Sequence, residues 1–222
     1  MRPRTVVLSQ IRQFAMSIII PKVLYNEKSK FIKQIIELLF ENPISGLIAI
    51  GVLLLSLTSH EYAHGWMADR LGDPTARVMG RLSFNPLSHL DFLGSIFLIV
   101  FGFGWAKPFP IDPYHFKNPK IDTLKVAIVG PLTNFALALI FAFVIRIMSL
   151  YLGNQTILNV FNLALTYAVY INITLAIFNL IPIAPLDGFK VVAGLLEGRQ
   201  LSEWLSLERY GFIFLMFLIF PI

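Results

Sequence analysis

The sequence predicts an all-α membrane protein, a polytopic bundle of transmembrane helices with one short re-entrant or β-hairpin element. Three observations lead there. Of the 222 residues, 56% are hydrophobic and only 14% charged, against about a quarter charged in an average soluble domain. Uncharged runs reach the roughly 20 residues that a helix needs to cross a hydrocarbon core about 30 Å thick. Cysteine is absent, which excludes disulfides and thiolate metal sites together, so any metal must be held by His, Asp or Glu.

Residues 1 to 41 match no motif and read as an N-terminal basic segment with seven Lys and Arg, leaving 42 to 222 as one core. Arg12 interrupts the stretch that follows Arg2 and Arg4, so no cleaved signal peptide is predicted. The first span runs from Asn42 to Asp69, broken only by the group HEYAH. Phe92 to Ala106, FLGSIFLIVFGFGWA, is too short and too glycine-rich for a crossing, hence the expectation of a re-entrant or hairpin element. Val126 to Ile145 gives twenty uncharged residues and Ile147 to Leu186 forty. The turn-prone Leu152-Gly153-Asn154-Gln155 splits the longer run, which predicts a helix over about Thr156 to Ile181. Tyr210 to Ile222 is apolar for thirteen residues; its helix either starts further back, near Trp204, or is cut short by the end of the sequence.

The net charge of +5 and a pI near 9.5 read as basic loops against a membrane surface, with no nucleic acid implied. Residues 69 to 91, 107 to 125 and 187 to 210 carry three, four and three Lys or Arg, whereas 146 to 155 carry only Arg146. This asymmetry places the Asp69 end of the first span at the cytoplasmic face. The seven charges before residue 42 conflict with it unless something between Thr5 and Phe40 also enters the membrane.

Between Asn42 and Ala68 the ionisable side chains are His60, Glu61 and His64, apart from the phenol of Tyr62. Charge at membrane depth is costly and usually functional. Histidines four apart lie one turn apart on one helix face and can reach one ion, while Glu61 sits about 100° round from His60, beside the ion without being a ligand. At 1.5 Å per residue, His64 lies about 8 Å and His60 about 13 Å below a helix end at Asp69. A catalytic zinc site needs a third protein ligand. Asp187, in FNLIPIAPLDGFKVV, is the carboxylate most deeply set in apolar sequence; Pro182 and Pro185 break the helix before it and Gly188 permits a turn. The rivals are His89, Asp91 and His115, all in charged or proline-rich connecting segments, and Asp187 has its own alternative as a helix-capping residue.

HEYAH, GPLTN at Gly130 to Asn134 and NLIPIAPLDG at Asn179 to Gly188, in this order on three hydrophobic spans, resemble the site-2 protease family of intramembrane zinc metalloproteases. ADRLGDPTARVMGRLSFNPLSHLD and GFGWAKPFPIDP resemble the connecting segments of its small prokaryotic members, which implies a prokaryotic cell membrane. The resemblance covers about residues 43 to 210. It implies Zn²⁺ held by His60, His64 and Asp187, Glu61 as the catalytic carboxylate that activates water, and Asn134 lining the active site. It also implies a transmembrane protein substrate cut within the lipid bilayer, which the Lys and Arg asymmetry puts near the cytoplasmic face.

For Asn134 two readings stand side by side: a hydrogen bond to substrate or to a developing oxyanion, and interhelical packing of the kind open to Asn162, Asn172 and Asn179. A transmembrane substrate must also be unwound locally, and the segment from Phe92 to Pro110 offers a candidate strand edge to hold it extended. Two other functions remain to be separated. A metal-binding transporter or inactive scaffold has no use for a carboxylate that is not a ligand beside the two histidines. A membrane-embedded peptidase for soluble peptides shares every residue named.

Overall fold

The computed structural model describes residues 43–101, 106–107, 109–151 and 156–219. The expectations for residues 1–42, for 102–105 of the re-entrant or hairpin segment, for the turn at 152–155 and for 220–222 lie outside them. Three of the described helices are long and apolar enough to cross a membrane. Helix α1 spans Pro43–Arg70, α4 Pro119–Tyr151 and α5 Thr156–Asn179. At 1.5 Å per residue, the 28 residues of α1 reach about 42 Å, longer than a hydrocarbon core about 30 Å thick. The three pack on one another, while Leu139, Ile140 and Phe143 of α4 face outward, as lipid requires.

Between α1 and α4 lie the short helix α2 (Thr75–Val78), a 3-10 turn at Pro86–Ser88, helix α3 (Phe92–Phe101) and a second 3-10 turn at Pro113–His115. The segment expected to be re-entrant or a hairpin is therefore helical over ten residues, too few to cross the core. Asp91 starts it, its carboxylate accepting the Gly94 N–H at 2.8 Å. Among the described residues the strand-like pairing is a single antiparallel bridge, Leu90 to Ala106, so no strand edge runs along Phe92–Phe101. After α5 the chain turns through residues 180–186 into α6 (Asp187–Leu195), α7 (Gly198–Ser206) and α8 (Gly211–Ile219). Helix α8 does not begin at Trp204: a 3-10 turn at Glu208–Tyr210 separates it from α7.

Where α1 ends, Ala68, Phe116 and Val126 form a small core with Met67, Leu71 and Ile111 around it. It joins the end of α1 to the start of α4. Asp73, fully buried, ties the connection together. Its Oδ1 accepts from the Thr75 N–H and hydroxyl, its Oδ2 from the Asp112 N–H at 2.8 Å, and His115 Nδ1 stands 3.4 Å away. Burial alone pushes the Asp73 carboxyl up, but these donors and the imidazole outweigh it and hold the group below the usual carboxylate range.

A carboxylate whose pKa falls on folding adds stability above its unfolded pKa, near 3.9, and loses it as pH drops through the folded value. Asp73→Asn should therefore destabilise the detergent-solubilised protein by ~1–3 kcal/mol at pH 7, with the gap to wild type closing below about pH 4. Thermal unfolding of both proteins from pH 7 to pH 3 reads this directly, and a gap that is constant with pH would rule out the carboxylate charge as its source.

Candidate metal centre

Helix α1 supplies the local half of the site. His60 and His64 stand one turn apart with ring centroids 4.6 Å apart and planes at 84°, and only 3% and 5% of their surface is exposed. The distal half arrives from far along the chain. After α5 ends at Asn179, Pro182 and Pro185 prevent a continuous helix, and the segment folds back through bonds from Ile183 N–H to the Ile181 carbonyl and from Leu186 N–H to the Ile183 carbonyl. The fold-back is close: a Cβ on Gly188 would lie 2.6 Å from the Ile181 carbonyl oxygen, so only glycine fits. Asp187 is thus the first residue of α6. Leu186 takes the cap position and Asp187 makes no capping bond, which leaves its carboxylate free for the histidines.

Asp187 Oδ2 lies 3.0 Å from His60 Nε2 and 3.1 Å from His64 Nε2, and the two Nε2 atoms are 3.0 Å apart. His64 Nδ1 is 2.7 Å from the Val126 carbonyl oxygen. A carbonyl only accepts, so Nδ1 carries a proton, and in the neutral ring the Nε2 lone pair then faces inward. His60 does the same, its Nδ1 standing 2.5 Å from Asn134 Oδ1. With both rings neutral, three electron pairs meet at the corners of a small triangle, an arrangement that a bound cation satisfies. Donors about 2.0 Å from a tetrahedral zinc sit about 3.3 Å apart, close to the observed triangle. The residues fit the metal, and the second nitrogen of each histidine is anchored as zinc-bound imidazoles require.

Helix α4 makes this geometry accessible. Gly130 lies directly against the rings: a Cβ there would overlap His64 Nε2 and come within 2.7 Å of His60 Cε1. Pro131 has no N–H for the carbonyl of Ala127, so the helix ladder is already interrupted one residue from the carbonyl that His64 uses. Glu61 follows His60 on α1 and is partly exposed. Phe109 covers Gly65, one turn beyond Glu61 on the same face, its Cε1 2.7 Å from where a Cβ would be.

The rival ligands stay apart. His89 is buried with Nε2 on the Ser83 carbonyl, Asp91 caps α3, and His115 stands between Asp73 and Asp112. Among the described residues the one His, Asp and Glu group able to hold a metal is His60, His64 and Asp187. Asn134, with no exposed surface, makes the contacts of a helix-bridging amide: Oδ1 to His60, Nδ2 to Asn172 Oδ1 at 2.7 Å and towards the Ser56 carbonyl at 3.4 Å. Sequence reasoning missed the Val126 carbonyl and Ser56. A signal existed for Ser56, which lies four residues before His60 on the same helix face.

Three apolar spans around two histidines and a carboxylate, with a glutamate between the histidines in sequence, define a membrane-embedded zinc metallopeptidase. Residues 48–163 and 145–220 match peptidase family M50, and the chain belongs to that family. YwhC of Bacillus subtilis is 38% identical over 175 residues, 77% of this chain and 79% of its own length. MJ0611 of Methanocaldococcus jannaschii is 30% identical over 71% of this chain and 77% of its own, and Rip2 of Mycobacterium tuberculosis 26% identical over 78% and 66%. All three carry zinc-metalloprotease names. No solved structure matches the chain at a significant level.

Purified protein should hold about one zinc per chain by elemental analysis, as a three-ligand site requires. His60→Ala, His64→Ala and Asp187→Ala should each abolish stable binding, and Gly130→Ala should do so through the displaced rings alone. Undiminished zinc in Asp187→Ala would reject it as a ligand and return His89 and Asp91 to consideration.

Proposed function

We propose that the chain is an intramembrane endopeptidase that cuts single-span membrane proteins near the cytoplasmic face, with residues 42–222 as its catalytic core. The observation that carries this is the position of His60 and His64, about two to three turns from the end of an apolar helix, with the Asp187 carboxylate brought against them from α6. Water from one face has a short path there, while substrate comes sideways from lipid between helices.

Zinc bound by His60, His64 and Asp187 would supply Lewis acidity, polarising a substrate carbonyl and bringing the pKa of a bound water towards about 7. Glu61 accepts the proton of the attacking water and delivers it to the leaving amine. His60 and His64 hold their inward lone pairs through Asn134 and the Val126 carbonyl, so neither ring has to reorient during the reaction. With its amide committed to His60, Asn172 and Ser56, Asn134 is assigned here to orienting His60 in preference to contacting substrate. A substrate helix shelters its carbonyls in its own hydrogen bonds, so it must unwind before it can be cut. Residues 109–112, whose Phe109 packs over Gly65 one turn from Glu61, are the candidate surface for the unwound stretch, in place of the hairpin edge that α3 does not provide.

Glu61→Gln should keep zinc and lose turnover by roughly 10²–10⁴-fold, the usual scale for a positioned proton acceptor. Co-expression with tagged single-span helices tests the substrate class. Gly, Asn or Pro near the scissile bond should speed cleavage and a Leu or Ala run should slow it, following helix propensity. Cleavage of soluble peptides alone would sink the intramembrane reading, and undiminished cleavage by Glu61→Gln would remove Glu61 from the chemistry.

The orientation has its own test. Cysteines introduced at Arg77 and Lys117 should react with an impermeant reagent only from the cytoplasmic side, and one at Asn154 only from the other, as the distribution of Lys and Arg requires. Reaction of the Arg77 position from outside would invert the topology and move the site to the opposite face.

A further inference from the structure

Helix α5 contributes no metal ligand, yet it places a fully buried asparagine, Asn172, in contact with the groups around His60. Asn172 Nδ2 is 2.8 Å from the Ala168 carbonyl oxygen and 2.9 Å from Ser56 Oγ. Its Oδ1 is 2.7 Å from Asn134 Nδ2, and Asn134 Oδ1 is in turn hydrogen-bonded to His60 Nδ1. Ser56, 3% exposed, lies one turn before His60 on α1.

The direction of this chain is fixed at its far end. Which side of an amide is oxygen and which is nitrogen follows from its partners. The Ala168 carbonyl can only accept, so it demands the Nδ2 side of Asn172. That leaves Oδ1 of Asn172 facing Asn134, which must then present its own Nδ2, and the Ser56 carbonyl asks the same of Asn134. Oδ1 of Asn134 is thereby turned to His60, whose Nδ1 must carry the proton and whose Nε2 must offer its lone pair to the metal. Reversing any one amide would set donor against donor in a buried site where no water can repair the mismatch.

We infer that Asn172 is a positioning residue for the zinc site: acting through Asn134, it holds His60 with Nδ1 protonated and Nε2 aimed at the metal. It deepens the proposed function, since it rests on His60 being a ligand. Plain interhelical packing by Asn172 would stabilise the bundle without touching the metal, so the two roles separate by experiment.

The test uses the full chain in detergent and three readouts: zinc affinity by chelator competition, the proton resonance of His60 Nδ1–H in the ¹⁵N-histidine-labelled zinc form, and thermal stability of the metal-free protein. Asn172→Leu, close in volume but without polar atoms, should weaken zinc binding about 10–100-fold, the usual cost of losing a partner behind a ligand. Its His60 Nδ1–H resonance should move upfield as the acceptor loses its orientation. Asn172→Asp should restore both, because a neutral carboxylic acid keeps an oxygen for Asn134 and an O–H for Ala168. In an Asn134→Asp background the Asn172→Leu loss should shrink, since either carboxylate oxygen accepts from His60; this non-additivity is the mark of a relay. If Asn172→Leu does not fold, the smaller Asn172→Ala carries the same expectation. Zinc affinity and the His60 resonance unchanged while metal-free stability falls would overturn the inference and leave Asn172 as packing. His60→Ala is the control: retention of zinc there would instead defeat the ligand assignment on which the relay stands.

Discussion

Three lone pairs about 3 Å apart, from His60, His64 and Asp187, are the constraint on which the rest of this structure depends. Outside water such a cluster is repulsive unless a cation sits among its members, and every polar group near it must find a partner inside the protein. The surroundings satisfy that demand group by group. Val126 offers a carbonyl to one imidazole, Asn134 an amide oxygen to the other, and Gly130 gives up its side chain so that α4 can come close enough to do both.

The labour is divided unequally among the helices. Helix α1 provides both histidines and Glu61 from five consecutive residues, an arrangement that helical periodicity delivers without help. Helix α4 provides no ligand but contacts both rings, and α5 sets Asn172 against Asn134 and Ser56. The carboxylate comes from a segment 123 to 127 residues distant in sequence and must be held by folding alone. Small residues make this assembly compact, as is common where lipid gives no hydrophobic push between helices: Gly130 lies against the imidazoles, and Gly194 lets α6 settle on Leu124 of α4.

The connection from α1 to α4 closes the site at one end. Asp73 binds the residues after α1 to those before α4, and the Leu90 to Ala106 bridge, with the bond from the Lys107 N–H to the His89 carbonyl, folds the middle of the segment on itself. Phe109 is carried back over Gly65, one turn from Glu61. Membership in peptidase family M50 fits this arrangement of two histidines and a carboxylate able to hold a metal.

The sequence by itself determined what depends on local spacing and composition. The membrane class, the three spans, the end of α1 near Asp69 and the shared face of His60 and His64 all follow from apolar run length and the 3.6-residue period. Asp187 stood out because it closes a run of forty uncharged residues, where a carboxylate is costly without a partner. Tertiary structure decided the rest. It made Asp187 the start of α6, because two prolines and a close fold at Gly188 send the chain back towards α1. It made Phe92–Phe101, within the segment expected to be re-entrant or a hairpin, the short helix α3. It also separated the asparagines, which read alike in sequence: Asn179 bonds to the Leu175 carbonyl of its own helix, whereas Asn172 reaches across to Ser56 and Asn134. The physical reason is that a helix period fixes which face a side chain lies on, while the partner it meets there is set by which neighbouring backbone can approach.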